Sequence, residues 1–206
     1  MPTFEYDRRY IEWGLSILES YLLSKAAYWP VDVVAPAGEP AYPMFTLEGI
    51  LLSFQRLQAH NEQLGQQSQI DKYKLELEFA RNRWQVAWES KAKSGFTARL
   101  RMWQGYLEEY REQPDTHADR YRYEVRLRVF LELLQLNISD QDLGLTDSLL
   151  VPDGFLITAL SRSDIIWGKE LIGAFPEKVY WYLYGNLPYA LPSGDVISNR
   201  MTGGSE

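Results

Sequence analysis

There is no cysteine among the 206 residues, and there are only two histidines. Without thiols the chain forms no disulfide, no cysteine nucleophile and no thiolate-ligated zinc or iron–sulfur centre, and this usage suits the cytoplasm, the expected compartment. The histidines restrict metal chemistry further. A di-metal site in a helical bundle needs Glu three residues before His, but Leu57 precedes His60 and Pro114 precedes His117 at that spacing. A zinc pair on one helix needs a second His four residues away, which neither position supplies.

Long hydrophobic runs are missing too. The longest uncharged stretch, 179–194, contains Pro188 and Pro192, and the opening MPTFEYDRRY lacks a basic-then-apolar layout, so neither a membrane span nor a secretory leader is expected. A Gly-rich phosphate cradle, a serine elbow and a dinucleotide fingerprint are absent, and no cofactor is expected. The aspartates between Asp140 and Asp153 fail the calcium-loop test, because Leu145 and Val151 stand where Gly and Glu are required. They read as turn and cap residues. Adjacent acids such as Glu76 and Glu78, or Glu108 and Glu109, do not share a helical face and read as solvated charge. With no fixed-period repeat, a solenoid is not expected.

What the chain does have is helical periodicity. Hydrophobic residues make up 46% and aromatics 14%, enough for a core rich in rings with polar tips. Two stripes, Tyr6/Tyr10/Trp13/Ile17/Tyr21 and Ile11/Leu15/Leu18/Leu22, predict a first helix over Thr3–Ala27 that is buried on two sides, with Thr3 as N-cap. Four prolines from Pro30 to Pro43 then impose an extended connection. Thr46 caps a second helix ending near Gly65. Ser68 with Asp71 marks the start of a third, whose stripe is Ile70, Tyr73, Leu77, Ala80, Trp84, Ala87 and Trp88. The pattern continues through Phe96, Leu100, Trp103, Leu107 and Tyr110. Unbroken, it would make a helix about 60 Å long, so a kink or break is expected at Gly95.

Thr116 with Asp119 marks a helix over the segment DRYRYEVRLRVFLELLQL, where strand alternation competes with helical spacing but no pairing strand is evident. Ser161 with Asp164 marks another short helix, and Pro176 and Gly185 bracket the last. The expected architecture is all-α: an irregular bundle of about five to seven helices with a Pro-rich connection after the first and short C-terminal helices. It forms a single domain over 1–206, with a core bundle at 3–136, a linker at 137–160, a helical appendage at 161–190 and a flexible tail at 193–206.

Charge is unevenly placed. Arg81 to Arg128 holds eleven basic residues against seven acids, while the whole chain carries −7. Arginines interleaved with indoles are typical anchors of protein interfaces and also grip phosphate backbones. The candidate partner-binding residues are Arg81, Arg83, Arg99, Arg101, Arg122, Arg126, Arg128, Trp84 and Trp103. No catalytic or metal-ligating residue is nominated. The functional expectation is a non-enzymatic interaction or scaffolding protein that docks a protein partner or its own copy. A nucleic-acid-associated subunit using 81–128 is the first alternative and a small helical enzyme the second; no membrane partner is expected.

Overall fold

Thr3 holds an extended backbone, and its Oγ1 accepts the Tyr6 amide at 3.3 Å, so the first helix, α1 (Phe4–Leu23), begins where its cap dictates. It ends four residues short of the periodicity. Ser24 turns extended, and both its amide and its hydroxyl donate to the Tyr21 carbonyl, a local alternative to the next helical turn. The computed structural model describes residues 2–64, 67–139 and 143–191.

Glu5 lies in the first turn of α1 and accepts from Arg8 (2.8 Å) and from Arg9 (2.7 Å), which hold its carboxyl down from its ordinary 4.5 to about 2. A carboxyl lowered on folding stabilises the fold above its ordinary pKa, and that contribution disappears as pH falls through the folded value. Because the pairs are solvent-exposed, Glu5→Gln is expected to cost only about 0.5 kcal/mol, or roughly 1–2 °C in Tm, at neutral pH. Melting curves of both proteins should converge between about pH 4.5 and pH 2; a gap that persists at pH 2 would rule out this ion-pair origin.

The Pro-rich connection runs extended across α1, closed by the paired backbone groups of Trp29 and Phe45. Tyr42 stacks on Tyr6 (4.4 Å) and Tyr10 (5.4 Å), and Phe45 meets Tyr21 edge-on at 5.1 Å. This strap supplies the second burying surface that the two stripes of α1 require. Thr46 Oγ1 accepts the Gly49 amide at the start of α2 (Leu47–Leu64); the expected stop at Gly65 falls outside the described residues. The third helix, α3 (Gln67–Arg83), begins ahead of Ser68, so the expected Ser68–Asp71 box does not form, and Gln67 pairs with Asp71 instead.

The long periodic segment divides at Trp84, not at Gly95. Trp84 leaves the helical region (φ −119°, ψ 37°), and α4 runs Gln85–Glu112. Hydrogen bonds span the joint, from the Trp84 amide to Ala80 and from the Trp88 amide to Trp84, so the chain bends without a loop. Gly95 sits mid-helix because packing needs it. A Cβ there would lie 3.2 Å from Glu48 and 3.3 Å from Leu134, so glycine lets α2, α4 and α6 approach closely.

After the single turn α5 (Pro114–His117), which contains Thr116 and therefore does not use it as a cap, a 3₁₀ turn leads into α6 (Tyr121–Gln135). Trp88 Nε1 donates to Asn137 Oδ1, and Tyr106 donates to the His117 carbonyl, which fixes α4 and α6 antiparallel. Their seam buries Trp88, Phe96, Trp103, Tyr110, Val125 and Leu131.

The stretch 137–160, expected as a linker, contains two helices, α7 (Leu143–Asp147) and α8 (Leu150–Ala159). Of the helix expected from the Ser161–Asp164 pair through Leu171, only a 3₁₀ turn at Lys169–Leu171 forms. Ser161–Arg162 (β1) instead pairs antiparallel with Gly185–Asn186 (β2), and the Ser163 and Ile166 amides are tied to the Tyr184 and Leu183 carbonyls. Pro176 caps α9 (Glu177–Tyr180), one position earlier than its expected place inside the helix. Trp167, Phe175, Tyr180 and Tyr182 from this region belong to the same buried cluster as the helices. The fold is thus an all-α bundle with one two-stranded ribbon among the described residues; the expected tail at 193–206 lies outside them. No described helix is long and apolar enough to cross a membrane.

Candidate functional site

The nine residues nominated from the sequence go to three different environments. Arg128 on α6 is 5% exposed. It donates from Nε and Nη2 to both Asp153 oxygens at 2.9 Å and from Nη1 to Glu132 at 3.0 Å, lying over the Tyr182 ring. Arg99 pairs with Glu48 at 2.6–2.7 Å beneath Tyr28 and Phe130. Trp103 is fully buried. These three residues brace helices against one another within the chain: a periodic stripe and a charged spacing do not distinguish an internal strut from a surface anchor.

Arg101 and Arg122 are exposed and make no ion pair among the described residues. Arg126 is exposed over the Phe130 ring. Arg81, Arg83 and Trp84 are brought together at the α3–α4 bend, where Arg81 donates to the Leu136 carbonyl and Arg83 lies over Phe79 (5.9 Å) and Trp84 (5.4 Å).

Two grooves meet at this bend. One, of about 840 Å³, lies between the C-terminal end of α1 and the start of α4, lined by Leu22, Leu23, Ala26, Trp84, Val86 and Ala87. The other, of about 650 Å³, lies between α1 and α3, lined by Leu15, Leu18, Leu75, Phe79 and Ala80. They share Asn82, Arg83 and Trp84. Leu23, Leu75, Phe79 and Val86 are more than half exposed, Val86 at 85%, and isolated surface apolar groups rarely cluster this way without a purpose.

Electrostatically the halves differ. The charged residues lining the larger groove are Lys25, Arg83 and Lys91, with no acid, whereas the smaller is mixed. Lys91 Nζ donates to the Ala26 carbonyl at 2.5 Å and the Ser24 carbonyl at 3.0 Å, above the Tyr21 ring. It caps the carbonyl end of α1, and burial pulls its pKa down from the ordinary lysine range. Lys25 and Arg83 make no ion pair among the described residues, and so remain available to a partner.

The sequence reading missed Leu23, Leu75, Phe79 and Val86. The signal was a second stripe at 75, 79 and 86, offset from the buried one and masked by it. Among the described residues, no group of three or more His, Asp or Glu is placed to hold a metal ion. No family model, curated protein or solved structure matches this chain.

Proposed function

We propose that this protein is a non-enzymatic docking module that receives an acidic amphipathic helix of a partner protein along the α1/α3/α4 trough. The observation that carries this reading is the line of exposed Leu23, Phe79 and Val86 around half-buried Trp84, with Lys25 and Arg83 as the charges outside ion pairs at the larger groove, while Glu19, Glu76 and Glu78 line only the smaller one. An amphipathic helix buries its apolar face in such a trough and sets its acids against the rim. Helix-flanked from Leu75 to Ser94, the trough accommodates about five turns. A protein partner is favoured over a phosphate backbone because Arg99 and Arg128 already hold carboxylates, which leaves no continuous arginine stripe.

The test is fluorescence anisotropy with a labelled Leu/Glu amphipathic peptide and a Leu/Lys counterpart. The acidic peptide should bind saturably and more weakly as salt rises. Phe79→Asp combined with Val86→Asp should weaken binding by about tenfold or more with Tm unchanged, as expected for exposed anchors. Unaltered binding by that variant, or preference for the basic peptide, would overturn the reading. A dimer that dissociates in the same variant would replace the partner with a second copy. RNA retention at low salt that is lost in Arg122→Glu would replace it with nucleic acid.

A further inference from the structure

A separate cleft of about 300 Å³ opens where the strap residues Pro40–Pro43 meet α1, α2 and α6. Its apolar walls include Tyr6, Pro40, Pro43, Leu52 and Phe130, its charged residues are Arg56 and Arg126, and no carboxylate lines it.

Arg126 has no hydrogen bond and no ion pair among the described residues. Arg126 stays open to solvent at the cleft mouth, yet partial desolvation of its guanidinium, then Arg99 and Arg56, pull its pKa below the ordinary arginine value, opposed by Glu124, which is itself paired with Arg120 at 2.9 Å. Arg56 keeps one free edge: Nε and Nη2 donate to Asp7 at 2.8 and 2.5 Å and Nη2 also to Ser53 Oγ at 3.3 Å, while Nη1 makes no bond among the described residues. Beside them, Tyr10 is 2% exposed and its hydroxyl lacks a hydrogen-bond partner among the described residues. The nearby Thr46 amide favours its phenolate slightly without donating an aligned hydrogen bond; burial dominates and raises its pKa, so it stays a protonated donor. Gly49 leaves room for that hydroxyl, since a Cβ there would lie 2.8 Å from it. An unpaired guanidinium at the mouth, a second with a free Nη1 edge, and a buried hydroxyl without a partner among the described residues converge on an acid-free, ring-walled cleft, a set of donors suited to an anion.

We propose that this cleft binds a small organic carboxylate, with its oxygens on Arg126 and the outer edge of Arg56 and its apolar body against Tyr6, Phe130 and the strap prolines. The planar guanidinium fork matches a carboxylate bidentately, and the volume suits a ligand of about one ring.

Benzoate, benzamide and inorganic phosphate are the probes, titrated into the full chain while the Arg side-chain Nε–H resonances are followed by NMR. Benzoate should bind saturably and move the Arg126 signal, with benzamide weaker by about tenfold or more for want of charge. Arg126→Gln should lower benzoate affinity by about tenfold or more while leaving Tm unchanged or raised, because an unpaired cation beside two others is removed. Gly49→Ala, which crowds Tyr10, should weaken it as well. No saturable benzoate binding, equal affinity in Arg126→Gln, or a response to phosphate alone would overturn the proposal.

Discussion

Asp7→Ala is expected to lower stability by about 3–5 kcal/mol, the loss seen when one partner of a buried ion pair is removed. Asp7 is fully buried and binds the Arg56 guanidinium through both oxygens, at 2.8 and 2.5 Å, which ties α1 to α2. Truncating the carboxylate leaves Arg56, itself only 8% exposed, without a counter-charge and close enough to Arg126 to repel it. Against a typical total of about 5–15 kcal/mol, that loss leaves little. Replacing both partners, with Asp7→Leu and Arg56→Met together, should restore most of the stability, because two packed apolar side chains need neither desolvated charge nor an exact partner. Urea unfolding followed by circular dichroism measures both variants. A cost below about 1 kcal/mol for Asp7→Ala would mean that the pair does not hold the helices together.

That pair also shows where sequence reading stops. The helices α1 and α2 were legible because their apolar spacing is long, regular and capped: Thr3 and Thr46 accept the amides their positions predict; α6 was legible from spacing alone, the competing alternation in 121–133 yielding to helix. Gly95 was misread because a glycine in a helix has two physical uses, a weak point in the backbone and a place for close approach. Only the distances to Glu48 and Leu134 separate them. The true bend falls at Trp84, a residue with no breaking propensity, so tertiary packing decides it. In the C-terminal third, Ser161 and Asp164 have cap-forming side chains, but their segment is held extended by backbone bonds to residues 183–186, a long-range pairing that spacing cannot reveal.

The candidate site was partly legible for the same reason. Arg83 and Trp84 were found by composition, whereas their apolar companions Phe79 and Val86 became visible only once the bend was placed and the second stripe proved unpartnered. The arginine surplus between 81 and 128 was real, but which guanidinium meets an acid depends on contacts between distant segments, such as Arg128 with Asp153 and Arg99 with Glu48. Charge counting finds the reservoir, and only the fold shows which members are already bound.

Trp103 gives the sharpest test of that division. Its ring is fully buried in the α4–α6 seam, 5.7 Å from Tyr106 and 6.4 Å from Tyr121, so Trp103→Ala should lower stability by about 3–5 kcal/mol through the cavity it leaves. Trp103→Phe should be far milder. The indole Nε1 is buried with no hydrogen-bond partner among the described residues, and removing an unsatisfied donor returns about 1–3 kcal/mol that offsets the smaller void. A partner-facing tryptophan behaves oppositely: alanine there would leave the melting temperature intact and abolish peptide binding. Thermal melts with anisotropy on the folded fraction therefore separate the two roles. Trp103→Ala should melt much earlier yet, wherever it is still folded, bind the acidic peptide like the parent protein, because the trough at Trp84 and Val86 is built from other residues.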